Sequence, residues 1–159
     1  MSRVDCIVHL LAHMQSNPVL DPWTENSYGA PPFQSVTAEH ILPALRKCIQ
    51  DATAALNEIC SNIKEEPSFA NTVIPYETDS RLIKLRQVRS FFISVVNTVE
   101  EFSSVKAPGY ELLQQFDRHP CQSMILGRFT KVDIRPLSVE DARLVRVVTE
   151  GFKSRGITV

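Results

Sequence analysis

Glycine is scarce in this chain, five residues in 159. None of them builds a Gly-rich phosphate loop, and no Gly-x-Ser-x-Gly elbow presents a serine nucleophile. Asn-Gly and Asp-Gly turns are absent as well. No segment longer than a few residues alternates strictly between apolar and polar, so hairpins and sheets have no sequence support. There is no apolar run of about 18 residues, the length a membrane-spanning helix needs. Charge of one sign is missing too: 17 basic and 18 acidic residues give a formal net charge of -1. The basic residues are scattered, which excludes the Lys/Arg stripe of a nucleic-acid binder and gives no attraction to a membrane surface. The four cysteines, Cys6, Cys48, Cys60 and Cys121, form no CxxC pair. Cys48 and Cys60 fall in one expected helix with about 18 Å of rise between them, too far for a disulfide. Free thiols in a reducing compartment are the expectation. Residues Cys6 to Met14 carry two histidines and no strong basic flank, a poor signal peptide, so a cytoplasmic location is expected.

What is present reads as one soluble globular chain, 43% hydrophobic and 22% charged. Residues 1–35 read as an extension and extended arm, broken at Asn17-Pro18, Asp21-Pro22, Gly29 and Pro31-Pro32. Trp23 and Phe33 in this arm need an apolar surface to lie on. Residues 36–159 read as a helical domain. From Thr37 to about Ile63, Ile41, Leu45, Cys48, Ala52, Ala55, Ile59 and Ile63 recur at spacings of three and four, a helical stripe. Thr37 can cap its start and Glu39 suits the positive end of its dipole. Pro43 calls for an irregular first turn or a separate short one. Asn62–Phe69 reads as a connection and Asn71–Tyr76 as a short helical turn. A second long helix is expected over Asp79–Glu101, with Leu82, Leu85, Val88, Phe92, Val95 and Val99 inward and Arg81, Lys84, Arg86 and Arg89 mostly wet. Ser103–Pro108 reads as a loop. Shorter helices follow at Tyr110–Phe116 and Gln122–Thr130, around a break at His119-Pro120. The last helix opens on a Ser138-x-x-Asp141 capping box, buries Val139, Ala142, Val145, Val148 and Phe152, and stops at Gly156. The class is all-α: two long amphipathic helices plus two or three shorter ones.

Few residues offer chemistry. His9 and His13 share a helical face and could both reach one zinc ion. A peptidase helix of the HExxH kind needs a Glu after the first His to activate the metal-bound water, and position 10 is Leu. A frayed N-terminal turn is the plainer reading. Glu39 and His40 are neighbours that point about 100° apart on a helix, so helix-start polarity explains them better than a dyad. Cys121 stands two residues from His119, which does not make a catalytic pair. Glu65-Glu66 reads as a solvated pair. By chemistry alone no catalytic, cofactor-binding or metal site is assigned.

The order of short blocks carries more. Asn17-Pro18-Val19-Leu20-Asp21-Pro22-Trp23, Pro31-Pro32-Phe33 and Glu39-His40-Ile41-Leu42-Pro43-Ala44 are followed by Phe69-Ala70-Asn71-Thr72-Val73. Phe91-Phe92 comes next, and then Leu137-Ser138-x-Glu140-x-Ala142-Arg143-Leu144 with Phe152 and Gly156. This series resembles the start of the thimet-oligopeptidase family of zinc metallopeptidases, most closely its peptidyl-dipeptidase (dipeptidyl carboxypeptidase) branch. It departs at Ala38, where the family usually has Pro, at Gln34, where Asp is common, and over Ser103–Pro136, which is shorter. The opening block begins after Met14, leaving residues 1–13 as an extension or an upstream start, which also retires the His9/His13 idea. The resemblance implies a mostly helical enzyme split by a deep channel that admits short peptides. Its zinc site, an HExxH helix with a distant Glu ligand, lies far downstream of the region matched here. The branch releases C-terminal dipeptides. The chain would then be part of the channel wall, its partners short peptides and the catalytic region, and its own cofactor set empty. A stand-alone helical interaction module is the alternative, and a small metal enzyme built on His9 and His13 the third reading.

Overall fold

The computed structural model describes residues 16–23, 30–31, 33–62 and 64–159. Cys6, His9, His13, Gly29, Pro32 and Ile63 lie outside them. Among the described residues every regular element is helical: α1 (Ala38–Asn62), a π-helical turn (Phe69–Val73), α2 (Ile74–Thr78), α3 (Ser80–Thr98), a 3-10 turn (Glu100–Phe102), α4 (Ser103–Asp117), α5 (Pro120–Phe129) and α6 (Val139–Ser154). The all-α class is as expected, with four helices shorter than α1 and α3 rather than two or three.

The α1 stripe is buried as its spacing demands: Ile41, Leu45, Cys48, Ala52 and Ala55 are inside, joined by Ala44 and Leu56. At its start it is His40, not the Thr37 hydroxyl, that does the capping. Its Nδ1 accepts from the Thr37 N–H at 3.0 Å, and the His40 N–H returns to the Thr37 carbonyl at 3.1 Å. That 3-10-type bond makes the first turn irregular, but Pro43 starts no separate turn, because α1 runs through it without interruption.

α3 buries Leu82, Leu85, Val88, Phe92 and Val95 as expected, and also Phe91 and Val96. Val99 does not join them. It leaves the helix in an extended conformation and is exposed. The expected loop Ser103–Pro108 is instead the first part of α4. Pro108 removes one intrahelical donor near the start of that helix, on an exposed turn where water can serve the orphaned carbonyl. Burial of Val105, Gly109, Leu113 and Phe116 outweighs that loss. In α6, Ala142, Val145 and Phe152 are buried and Val148 half-buried, whereas Val139, the first helical residue, is 82% exposed. Ser138 Oγ accepts from the Asp141 N–H at 3.0 Å, one half of the expected box. A full reciprocal box sits at Ser68 and Asn71, on the π-helical turn. Gly156 ends α6 at φ +78°, a conformation that a Cβ would strain.

The core lies where α1, α3 and α4 meet. Gly109 of α4 makes that junction possible: an ideal Cβ there would stand 2.4 Å from Phe92 Cε2 and Cζ and 3.3 Å from Leu45 Cδ1. A second aromatic cluster joins α2, α5 and α6, with Tyr76, Phe129 and Phe152 ring centroids 5.3–5.8 Å apart. The arm is laid on this body. The Asn17 side chain closes a turn on the Val19 N–H at 3.0 Å and donates to the His40 carbonyl at 2.7 Å. Val19 is buried, and Lys84 Nζ donates to the Asp21 carbonyl while sitting over the Trp23 ring. Trp23 meets Phe91 edge-on at 6.1 Å. Phe33 meets the same ring at 5.4 Å yet stays more than half exposed.

Gly109→Ala tests the junction. Overpacking costs about 1–3 kcal/mol and the gain in helix propensity returns about 1, so urea denaturation should show a net loss of up to about 2 kcal/mol. An unchanged midpoint would mean that Phe92 moves freely.

Candidate functional site

The residues singled out by sequence turn out to hold the backbone. His40 Nδ1 and carbonyl are both occupied, as above, and Glu39 is exposed beside it. His119 caps α5, its Nδ1 accepting from the Cys121 N–H at 3.2 Å. The Glu65 and Glu66 side chains are solvated, while their carbonyls accept from Arg128 Nη1 at 3.0 Å and Asn71 Nδ2 at 2.8 Å. His9 and His13 lie outside the described residues. Among the described residues no three His, Cys, Asp or Glu side chains are grouped to hold a metal ion. The donors among the described residues therefore do not fit a zinc centre, and no chemical step through zinc is assigned to them.

Three charged networks that sequence spacing does not reveal tie the helices together. In the first, Asp117, buried at the end of α4, receives two bonds from Arg89 of α3, at 2.9 and 2.7 Å. Arg155, just past α6, brings its Nε to 3.4 Å from the same carboxylate, an ion-pair contact without hydrogen-bond alignment. Tyr76 lines the same cleft as Asp117 and Arg155, and burial raises the pKa of its hydroxyl. One carboxylate thus joins α3, α4 and the end of α6. Bidentate geometry makes the Arg89 bonds the strong ones.

The second network is Arg128 of α5, which donates to Thr72 Oγ1 at 3.3 Å, Asn71 Oδ1 at 3.1 Å and the Glu65 carbonyl. It locks the π-helical turn against α5. The third is Arg81, which grips Glu58 of α1 with two bonds of 2.9 and 2.6 Å and also holds Asp79, the α3 N-cap. The bond from Arg81, together with the backbone N–H groups it caps, holds the Asp79 carboxyl below the usual carboxylate range.

An apolar groove of about 470 Å³ lies over α3 between Trp23, Pro31, Phe33 and Phe91, edged by Arg86 and Gln87. Residues 24–29 and 32, next to it in the chain, lie outside the described residues. A smaller cleft of about 350 Å³ lies between Glu58, Asn62, Pro75 and Arg81, and its charged groups Glu58 and Arg81 are paired with each other. No helix among the described residues is long and apolar enough to cross a membrane. The arrangement supports rigid packing of helices; among the described residues it brings no acid, base or nucleophile to a shared reacting centre.

Two measurements follow from these networks. Asp117→Ala leaves Arg89 and Arg155 without their shared counter-charge and should cost about 3 kcal/mol in chemical denaturation. Asp79→Ala removes an N-cap and should cost about 1 kcal/mol near neutral pH. Because the folded pKa of Asp79 lies below its unfolded value, its contribution is complete above the unfolded pKa and fades as pH falls through the folded one. The gap between wild type and Asp79→Ala should therefore close below about pH 4.

No family model matches the sequence. A curated protein, Oligopeptidase A of Haemophilus influenzae, is 35% identical to this chain over 88 residues, which is 54% of this chain and 12% of that protein. The chain thus aligns with about an eighth of the length of the relative. With an all-helical fold in place, this similarity supports an oligopeptidase family link for the chain.

Proposed function

We propose that this chain is the N-terminal channel-wall region of a zinc-dependent oligopeptidase that resembles peptidyl-dipeptidases, with residues 1–35 as extension and arm and residues 36–159 as the helical domain. The observation that carries the proposal is the similarity to Oligopeptidase A. The way the resembling blocks bond to one another adds to it. Asn17 of the first block donates to the carbonyl of His40 in the third, and Asn71 of the Phe-x-Asn-Thr block caps its own turn and takes Arg128. These residues of the blocks act as fasteners of a scaffold, which suits a wall.

In this reading the chain contributes shape. Stiff rods cross-braced by Arg89–Asp117 and Arg81–Glu58 narrow the approach to a cleft, so that short peptides enter and folded chains do not. Zinc, on an HExxH helix with a distant Glu ligand, and the hydrolysis that frees C-terminal dipeptides belong to the catalytic region; the enzyme is cytoplasmic. Exposed apolar residues on α3 and α6, Ile83, Ile93, Val139 and Val147, suit a helical layer that meets further protein. The second reading, a stand-alone helical interaction module derived from the same fold, is favoured by the closed core, in which Phe92, Phe129 and Phe152 are at most 1% exposed.

The reading frame around this segment and a peptide assay decide between them. The expected result is a parent polypeptide with HExxH downstream of Val159 that shortens oligopeptides two residues at a time from the C-terminus. Chelation should stop it and zinc restore it, while residues 1–159 alone leave the same peptides intact. Hydrolysis by residues 1–159 alone would overturn the proposal. A frame ending at Val159 would favour the interaction module.

A further inference from the structure

The fold brings together two thiols that the chain separates by 61 residues. Cys60 stands near the end of α1, half-buried, and Cys121 is the second residue of α5, buried. Cys60 Sγ lies 3.9 Å from the Cys121 carbonyl oxygen. Cys121 Sγ lies 3.4 Å from Asn57 Oδ1, on the α1 turn just before Cys60. Each sulfur is thus seated against the other residue's immediate surroundings. The Cys121 backbone is fixed from the other side, where its N–H is held by His119 Nδ1. Cys48, also on α1, is 12 positions before Cys60, about 18 Å along the helix, and takes no part.

We propose that Cys60 and Cys121 form a redox pair whose oxidation to a disulfide staples the end of α1 to the start of α5. The pairing goes beyond the channel-wall reading and does not depend on it. The oxidant is a low-molecular-weight disulfide. Cys60, the more accessible sulfur, loses its proton and attacks the oxidant, forming a mixed disulfide and releasing one small thiol. Cys121 then loses its proton and attacks the Cys60 sulfur, releasing the second small thiol. One S–S bond breaks in the oxidant and one forms in the protein. The two protons and two electrons of the protein thiols end on the two small thiols.

Burial pushes the Cys60 thiol up to about 12, so only a small fraction is thiolate near neutrality and oxidation is slow there. Closing a loop of this length removes freedom from the unfolded chain, so the oxidised protein is the more heat-resistant form.

Incubating the full chain with oxidised glutathione at about pH 7 and about pH 9, then alkylating and mapping peptides, tests this. The expected product is an intramolecular Cys60–Cys121 linkage, two hydrogens lighter, formed faster at the higher pH and reversed by a dithiol. Its Tm should rise by about 10 °C. Cys60→Ser and Cys121→Ser should each abolish both linkage and rise, with the helical circular dichroism of both variants confirming the fold. Linkage through Cys6 or Cys48, a lasting glutathione adduct on Cys60, or a lowered Tm on oxidation would overturn the proposal.

Discussion

The Phe92 ring occupies space above Gly109 that a single methyl group would take away. Three helices converge on that contact: Phe92 comes from α3, Gly109 from α4 and the adjoining Leu45 from α1. Small residues line the α1 side as well, with Ala44, Ala52 and Ala55 fully buried. Close approach of this kind turns many weak dispersion contacts into one dense core. It also sets where the charged residues at the rim fall. Arg89 lies three positions before Phe92 on α3 and Asp117 eight after Gly109 on α4, so the pairing of that carboxylate rests on the same approach.

Much of the fold could be read from periodicity because the long helices are one-sided. The α1 and α3 stripes follow the 3.6-residue repeat, and burial obeys it nearly residue for residue. Structure and local signal part where tertiary packing overrides the signal. Pro108 looked like a loop, but it stands at the sixth residue of α4, as Pro43 does in α1, where one missing donor is tolerated. Val99 and Val139 fit the stripe of their helices by spacing, yet each sits at a terminus that the core no longer covers. Periodicity extends past the end of a helix, whereas packing does not.

The paired side chains between helices were not legible at all. Arg89–Asp117 spans 28 residues and Arg128–Asn71 spans 57, with no spacing rule to announce them. What could be read was the character of the nearby histidines: His40 and His119 serve their own helix starts, as polar residues beside a helix terminus commonly do. The motif blocks were visible as strings, but the reason for their residues lies in bonds made elsewhere. Asn71 needs a carboxamide because one end closes the turn at Ser68 and receives Arg128 while the other reaches the Glu66 carbonyl.

Several of these ties end on a main-chain oxygen. Asn17 reaches the carbonyl of His40, Lys84 that of Asp21, Arg128 that of Glu65 and Asn71 that of Glu66. A peptide carbonyl is supplied by whatever amino acid occupies the position. Divergence can therefore rewrite residues 21, 65 and 66 without unfastening the arm or the loop, as long as the donors at 71, 84 and 128 persist, whereas His40 also keeps its ring nitrogen on the Thr37 N–H. Where the carbonyl alone is held, the scaffold places its heritable information on the donating side of the clasp and leaves the receiving side free to drift.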